Sequence, residues 1–199
     1  MHVGILGGTG PAGRGLGCRM AAAGIEVTLG SRDQARADGV AAELVETWSA
    51  RSLNIKGSDN AGAAGADVVI VGTPWDGAVA TVQPLRDLLA DKVVISMASA
   101  LVKVGQSLQA VTLGRGSVAA TLQAALPASR VTGAFHHLPA EDLGNLDEGL
   151  LADVLVCADD AKAKEATMAL VEAIEAFTAV CIAVNIRYKA RTYIRMGGI

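Results

Sequence analysis

The stretch Gly7-Gly8-Thr9-Gly10-Pro11-Ala12-Gly13 decides the fold of this 199-residue chain. It follows a short apolar run, Val3-Gly4-Ile5-Leu6, which predicts a buried strand. It opens a segment of small and apolar residues, Pro11 to Ala23, which predicts a helix, because proline fits the first helical turn and Gly24 is a good stop signal. A glycine-rich turn between a strand and a helix predicts a phosphate-binding site.

The spacing Gly8-x-Gly10-x-x-Gly13 is typical of dinucleotide-binding proteins. Glycine permits the tight turn and lets the backbone approach a diphosphate, and the free N–H groups at the start of the helix attract the anion. Thr9 offers a hydroxyl at the same place. The alternative is a glycine-rich turn that only packs the helix on the strand and binds no ligand.

The second strand, predicted over Ile25 to Leu29, leads into Gly30-Ser31-Arg32. NAD-specific proteins place an acidic residue there to bind the ribose diol, whereas a serine hydroxyl and a guanidinium suit a 2′-phosphate. Arg36 lies four residues beyond Arg32, hence on the same face of the following helix, and can add positive charge. We therefore expect NADP, against the alternative that both arginines belong to ordinary solvated surface.

Strands and helices continue to alternate along the chain, which predicts an α/β fold with a doubly wound parallel sheet of the Rossmann type. Helices are expected at 33–50, 60–65, 76–90 and 117–126, and strands at 67–71, 92–96, 130–135 and 153–157. Residues 160 to about 191 are helix-compatible almost throughout and predict two helices, followed by an irregular tail at 192–199. The expected organisation is an NADP-binding domain over 1–158 and a small C-terminal helical segment, 159–199, that completes the cleft.

Composition excludes several functional classes. A net charge of −3 gives no reason to expect nucleic acid or an anionic membrane as a partner. No run reaches the roughly 18 apolar residues of a membrane span, and the first residues lack the features of a signal peptide. Cys18, Cys157 and Cys181 each lie in an apolar stretch and predict buried, reduced thiols instead of disulfides or a metal site. We therefore expect a cytoplasmic protein.

In sheets of this type, ligands lie beyond the carboxyl ends of the strands, and three strand ends carry polar or kinked groups. They are Gly72-Thr73-Pro74-Trp75-Asp76, Ser96-Met97-Ala98-Ser99 and Phe135-His136-His137-Leu138-Pro139-Ala140. Thr73-Pro74 can fix a turn that supports the cofactor's ribose and nicotinamide, and Trp75 either stacks on a ligand or caps the core. Adjacent histidines on a strand end point to opposite sides, so we expect at most one of His136 and His137 to face the cleft.

The sequence shows no Ser-His-Asp or Cys-His arrangement and no evident pair of groups for proton transfer. This favours direct hydride transfer between two bound cofactors, in which the protein mainly positions the rings. No catalytic side chain is therefore predicted. No metal site is predicted either, because nothing near the two histidines supplies further ligands at a suitable spacing.

Several motifs together resemble those of the F420-dependent NADP reductases (F420H2:NADP oxidoreductases). They are Gly7-Gly8-Thr9-Gly10, Gly30-Ser31-Arg32, Pro74-Trp75, His136-x-Leu138-Pro139-Ala140, Asn145-Leu146-Asp147-Glu148 and Asp159-Asp160. The resemblance runs from Met1 to about Glu175 and resumes from about Thr178. It implies hydride exchange between NADP and the deazaflavin coenzyme F420, with the nicotinamide and deazaflavin rings face to face. It also implies a homodimer, for which residues 159–199 are the expected interface.

The resemblance also assigns site residues by matching positions. Together with the glycine motif, it places on NADP the residues Gly8, Thr9, Gly10, Pro11, Ala12, Ser31, Arg32, Arg36, Thr73, Ser99 and Ala140. The last three would lie near the ribose and nicotinamide, and the others on the adenosine side. His136 and Leu138 would approach the deazaflavin, and Thr178 matches a threonine that helps to bind F420.

One departure from the family concerns the F420 site. Family members carry a further stretch between the helix that ends here near Glu175 and the Phe177-Thr178 segment, with a last strand, a short Asp-Ala-Gly loop and an arginine toward F420. Nothing in this chain matches that stretch, and Ala176 replaces a family serine. Either the protein has lost part of the F420 site, in which case NADP binding should survive, or this sequence omits a segment. Two other functions stay open as alternatives: another NADPH-dependent reductase, acting on a flavin, imine or carbonyl, or a non-catalytic NADP-sensing protein.

Overall fold

The computed structural model describes residues 1–148, 150, 152–174 and 177–181. The helices are α1 Pro11–Ala22, α2 Gln34–Thr47, α3 Asn60–Ala64, α4 Ala78–Val82, α5 Val118–Ala125, α6 Ala140–Gly144 and α7 Ala161–Glu172, with a 3₁₀ turn at Gln83–Leu85. The strands are β1 His2–Leu6, β2 Glu26–Ser31, β3 Ile55–Asp59, β4 Val68–Val71, β5 Val93–Ser96, β6 Leu101–Val104, β7 Ser107–Ala110, β8 Arg130–Gly133, β9 Ala152–Ala158 and β10 Phe177–Cys181. No helix within the described ranges is long and apolar enough to cross a membrane.

The central sheet has eight strands in the order β3-β2-β1-β4-β5-β8-β9-β10. The six strands from β3 to β8 are parallel to one another. β1 pairs with β2 on one side and with β4 on the other, so the strand order reverses at β1. A reversal of this kind leaves a crevice beyond the carboxyl ends of the central strands. The Rossmann-type α/β fold class is therefore confirmed.

Two hydrophobic clusters hold the helices on the two faces of the sheet. Successive side chains of a strand point to opposite faces. Ile5 of β1 therefore belongs to one cluster with Leu16 of α1, whereas the next residue, Leu6, belongs to the other cluster with Val82 of α4 and Leu122 of α5. The apolar runs of the central strands are thus buried on both sides, as expected for parallel strands.

One edge of the sheet differs from the predicted parallel arrangement. β9 pairs with β8 in antiparallel orientation, with Thr132 opposite Ala158, and β10 runs parallel to β9. The connection from β8 to β9 contains α6, which has five residues and packs against α1. A parallel return needs a crossover, usually a helix, that carries the chain back to the other end of the sheet, whereas α6 packs against α1 and β9 begins at the end of the sheet where β8 finishes. Apolar periodicity identifies a strand, but it carries no information about strand direction.

The C-terminal prediction is partly wrong. α7 confirms a helix at the start of the helix-compatible stretch 160–191, but Phe177–Cys181 forms β10 within the part of that stretch where a helix was expected. The segment contains β-branched residues and pairs with β9 along its whole length, so tertiary pairing overrides a helix-compatible composition. The remainder of that expected helix and the tail at 192–199 lie outside the described residues. The domain boundary after residue 158 stays a prediction.

Three further segments differ from the expectation. Residues 76–90 form α4 and a 3₁₀ turn where one helix was expected, because Pro84 has no N–H to continue the helical hydrogen bonds. β3 at the sheet edge and the hairpin of β6 and β7 were not predicted. β3 has few buried positions and the hairpin has none, so both lack the alternation that marks a half-buried strand.

Candidate functional site

A cavity of about 1030 Å³ lies beyond the carboxyl ends of the central strands. Its wall comes from the turns after β1, β2, β4 and β5 and from the first residues of α3 and α6. The residues predicted to bind NADP that line it are Thr9, Gly10, Pro11, Ala12, Ser31, Arg32, Arg36, Thr73, Ser99 and Ala140. The volume lies at the upper end of the range for small-molecule sites, as a dinucleotide requires.

The glycine-rich turn is shaped by backbone contacts. Gly7 has a φ of 66°, which favours glycine, and its N–H donates to Asn60 Oδ1 at 3.1 Å. The N–H of Gly8 donates to the carbonyl of Gly30 at 2.8 Å, and Gly8 lies behind the turn, outside the cavity wall. A Cβ on Gly13 would lie 2.8 Å from the Cα of Gly8, so the third glycine lets α1 pack on the turn.

The N-terminus of α1 borders the cavity and has no side-chain cap. Pro11 occupies the first helical position, and the N-cap residue Gly10 offers no side-chain acceptor. The other helices of eight or more residues are capped by the side chains of Asp33, Ser117 and Asp160. The first N–H groups of α1 therefore keep their capacity to bind an anion, and no acidic residue in the first turn competes for them.

Ser31, Arg32 and Arg36 form a cationic corner of the cavity. Ser31 is 7% exposed, whereas both arginines are exposed and form no ion pair within the described residues. The carboxylate of Asp33 accepts the N–H of Arg36 at 3.3 Å, so it caps α2. The N–H of Asp33 donates to Ser31 Oγ at 3.2 Å. The guanidinium groups thus keep donors for an anion such as a phosphate.

The opposite end of the cavity contains Thr73, Ser99 and Ala140. The hydroxyl of Thr73 is buried and has no hydrogen-bond partner among the described residues. A buried hydroxyl without a partner at a cavity wall suits a polar group of a ligand. Ser99 Oγ donates to the carbonyl of His136 at 3.0 Å and so ties the turn after β5 to the segment that leads to Ala140.

His136 and Leu138, predicted to approach F420, follow β8 and are half-buried, but they are not among the residues that line this cavity. The expectation that His136 and His137 point to opposite sides is wrong, because their ring centroids lie 5.2 Å apart in an edge-to-face arrangement. β8 ends two residues before Phe135, which has a φ of 60°. The alternation of a strand therefore does not extend to the histidines.

Thr178, the third residue predicted to bind F420, lies in β10, and its backbone pairs with Asp153 of β9. The carbonyl of Asp153 lies 2.8 Å from His137 Nε2. Because β9 and β10 run opposite to the central strands, their first residues lie at the end of the sheet where the central strands finish and the cavity begins. The side chain of Thr178 lies outside the described part of the structure, and its assignment to F420 stays a prediction.

Several cavity residues escaped the sequence prediction. Asn60 lines the wall at the start of α3, and Ala80, Thr81, Pro84 and Leu85 line it from α4 and the 3₁₀ turn. Recognition of β3 as a strand could have revealed Asn60, because the residue after a strand in such a sheet faces the cleft. Trp75, for which two roles stayed open, lines the cavity, packs against the core and donates from Nε1 to a backbone carbonyl at 3.0 Å.

Behind the cavity, α1 carries a buried arginine. Arg19 is 8% exposed, and its Nη2 donates to the carbonyls of Asp142 and Asn145, both at 2.6 Å, and of Glu148 at 3.2 Å. Burial lowers the pKa of Arg19 and raises the pKa of the neighbouring Cys18 thiol to about 11. Arg19 thus ties α6 and the loop after it to the helix that begins at the glycine-rich turn.

Comparison with known proteins agrees with this geometry. Residues 2–100 match the family model described as coenzyme F420-dependent NADP oxidoreductase. An F420-dependent NADP reductase of Methanocaldococcus jannaschii is 31% identical over 213 residues, covering 96% of this chain and 95% of the relative. The chain belongs to the family of F420-dependent NADP reductases. The family member of Methanothermobacter thermautotrophicus is 32% identical over 185 residues, covering 90% of this chain and 80% of its own length.

A crystal structure from Arthrobacter sp. FB24, provisionally described as an F420-dependent NADP reductase, shares the fold. Its TM-score is 0.72 at 22% identity, and the match covers 90% of this chain and 84% of that one. The match to the Methanocaldococcus jannaschii reductase extends over more residues than this chain contains. That relative therefore carries residues without a counterpart in this chain.

Proposed function

We propose that this protein transfers a hydride between NADP(H) and the deazaflavin coenzyme F420. Membership of the F420-dependent NADP reductase family supports the activity. The observation that carries the proposal is a single cavity that joins a cationic corner, an uncapped helix N-terminus and a buried hydroxyl without a partner. NADP and F420 supply the redox chemistry, since the hydride passes directly from one ring to the other.

The residues of the cavity fit NADP as a ligand. The uncapped N–H groups of α1 bind the diphosphate, and Ser31, Arg32 and Arg36 bind the 2′-phosphate. The hydroxyl of Thr73 forms a hydrogen bond with the ribose next to the nicotinamide. Among the described residues this hydroxyl has no other partner. The protein contributes position and charge, and no side chain has to donate or accept a proton during the transfer.

F420 approaches from the segment that contains His136 and Leu138, with Thr178 at the same edge of the sheet. The hydrogen bond from Ser99 to the carbonyl of His136 supports this placement, because it joins the F420 segment to the nicotinamide end of the cavity. β10 follows α7 after a short connection and pairs with β9, and so occupies the place of a last strand without the family's additional stretch.

We further propose a homodimer in the cytoplasm. The family resemblance supports the dimer, as do the exposed apolar side chains of Leu101, Val104 and Leu108 on the hairpin of β6 and β7. The free, buried thiol of Cys18 supports a reducing compartment. Sedimentation equilibrium of the purified protein tests the dimer directly.

The decisive experiment mixes the protein with NADPH and oxidised F420 and follows the loss of the deazaflavin absorbance. NADPH that carries deuterium in both positions on the reactive ring carbon should yield deuterated reduced F420 in ordinary water, because direct transfer involves no exchange with solvent. Mass spectrometry of the product measures the label. Bleaching without retained deuterium would contradict direct transfer.

The same assay separates the alternatives. Oxidation of NADPH with a free flavin or a cyclic imine, and none with F420, would identify a different NADPH-dependent reductase. Tight NADP binding without turnover of any of these acceptors would identify a nucleotide-sensing protein. Neither outcome is expected.

A further inference from the structure

Asn60 occupies the position between the two phosphate-binding parts of the cavity. It is the first residue of α3 and follows Asp59, the last residue of β3, directly. Asp59 pairs with Ser31 of β2, so Asn60 lies beside the cationic corner of Ser31 and Arg32. Its side chain also contacts the glycine-rich turn at Gly7 and lines the cavity. No other described side chain makes a hydrogen bond to the backbone of that turn.

The hydrogen bond to Gly7 determines which way the Asn60 amide faces. A backbone N–H can only donate, so the group 3.1 Å from Gly7 N must be the amide oxygen, Oδ1. The amide nitrogen, Nδ2, then points away from the turn, and it has no hydrogen-bond partner among the described residues. Gly30 makes room for this arrangement, because a Cβ there would lie 2.8 Å from Oδ1.

We propose that Asn60 is a specificity-determining residue whose Nδ2 donates to the 2′-phosphorylated ribose of NADP, while its Oδ1 supports the glycine-rich turn. The inference rests on the proposed binding of NADP in this cavity. Asn60 thereby adds a neutral hydrogen-bond donor beside the two exposed arginines. Its side chain has less freedom of movement than theirs, because its Oδ1 is bonded to Gly7. One side chain couples the shape of the diphosphate turn to recognition of the 2′-phosphate.

The substitution Asn60→Asp separates the two roles. It keeps an oxygen to accept the N–H of Gly7, but it replaces the donor with a carboxylate oxygen that repels a phosphate. The dissociation constant for NADPH should rise by roughly 10- to 100-fold, the scale of one hydrogen bond to a charged group. The dissociation constant for NADH should change less than about threefold on the same scale. An equal change for both nucleotides would overturn the proposal.

Two controls identify the cause of the effect. Asn54→Asp places the same charge just before the first residue of β3, at the other end of the strand from Asn60. This position is exposed and away from the cavity, so both affinities should remain unchanged. Binding of 2′,5′-ADP, which carries the 2′-phosphate, should weaken in Asn60→Asp, whereas ADP-ribose, which lacks it, should not. A loss confined to ADP-ribose would contradict the proposal and leave Asn60 only a support of the turn.

A second variant covers the case in which Asn60→Asp does not fold. Asn60→Ala removes both amide groups, so binding of NADH should weaken through the turn and binding of NADPH should weaken further through the lost donor. If the ratio of the two dissociation constants does not change, the proposal for Asn60 is overturned, but the proposed function is not. Wild-type protein that binds neither NADPH nor 2′,5′-ADP would instead contradict the proposed function.

Discussion

The arginines of this protein divide according to what they contact. Arg14 forms an ion pair with Glu43 at 2.6 Å, and Arg19 is buried against backbone carbonyls. Arg32 and Arg36 line the cavity and form no ion pair within the described part of the chain. A cation whose charge is not already neutralised is the one that can select a dianionic phosphate.

Replacing Arg32 with alanine should therefore weaken NADPH binding by about 1.5–3 kcal/mol, as expected for one charge-assisted contact. NADH has no 2′-phosphate, so its affinity should change little. Titration calorimetry with both nucleotides measures the difference. Arg14→Ala is the matched control, because it removes an arginine whose partner is Glu43, and it should affect neither affinity. Equal losses for NADPH and NADH in Arg32→Ala would show that Arg32 does not read the 2′-phosphate.

The buried thiol of Cys18 should make the protein less stable as the pH becomes alkaline. The thiol is buried in the core, and burial raises its pKa from an ordinary value of 9.0 to about 11. Above about pH 9 the unfolded chain releases this proton while the folded protein keeps it. The contribution to stability is therefore complete below pH 9 and is lost as the pH rises toward 11.

Urea unfolding between pH 8 and pH 11 should show this loss, on the order of 2 kcal/mol, over and above the titration of other groups. The variant Cys18→Ala should be less stable at neutral pH because it leaves a small void. The stability difference between the two proteins should shrink as the pH increases. A constant difference across the range would mean that the thiol titrates normally in the folded state.

At the scale of elements, α1 and α6 pack closely against each other beside the cavity. A Cβ on Gly15 would lie 2.9 Å from both the backbone N of Gly144 and the Cβ of Leu143, so the two helices approach as closely as their backbones allow. Arg19 then fastens the end of α6 to α1. The helix whose uncapped N-terminus borders the cavity therefore also holds α6, whose first residue, Ala140, lines the same cavity.

Arg19→Met should lower the free energy of unfolding by roughly 2–4 kcal/mol, because three carbonyls of α6 and the loop after it lose their buried donor. Turnover should fall as well, whereas the affinity of the folded protein for 2′,5′-ADP should remain, since that ligand does not reach α6. Arg51→Met is the matched control. Arg51 also donates to the same loop, at the carbonyl of Leu146, but it is exposed and its loss should cost less than about 1 kcal/mol. If both variants lose the same free energy of unfolding, burial does not make the hydrogen bonds of Arg19 more stabilising than those of Arg51.

Elements that bury an apolar face were predictable from the sequence, and elements defined by long-range pairing were not. The run Val68–Val71 identifies β4 because it is buried on both sides. Ile55–Asp59 pairs with β2 at the edge and contains Lys56 and Asp59, so its composition does not distinguish it from a loop. Phe177–Cys181 becomes a strand because β9 offers a free edge, which no local pattern records.

At the scale of the whole molecule, the ligand site joins parts that are distant in the sequence. The turns after β1, β2, β4 and β5 contribute to one cavity, and α6 closes it. Binding of NADP should therefore stabilise the sheet as a unit. At a concentration one hundred times the dissociation constant, the gain is about 2.7 kcal/mol, which corresponds to roughly 5–10 °C in Tm for a chain of this length.

Differential scanning fluorimetry with NADP measures this shift, and NAD at the same concentration is the control. The shift with NAD should be smaller, because NAD lacks the 2′-phosphate that we propose the cationic corner binds. In the Arg32→Ala variant the two shifts should converge. A larger shift with NAD than with NADP in the wild-type protein would contradict the assignment of Ser31 and Arg32 to the 2′-phosphate.

The sequence by itself determined the Rossmann-type fold, the glycine-rich turn at 7–13 and the serine and arginine after β2, because these depend on local spacing and burial. The tertiary structure alone decided the reversed direction of β9 and β10, the contact of His136 with His137 and the place of Asn60 between the glycine-rich turn and the end of β2. Strand direction and contacts between distant segments arise from packing of the whole chain, and no short stretch of residues encodes them.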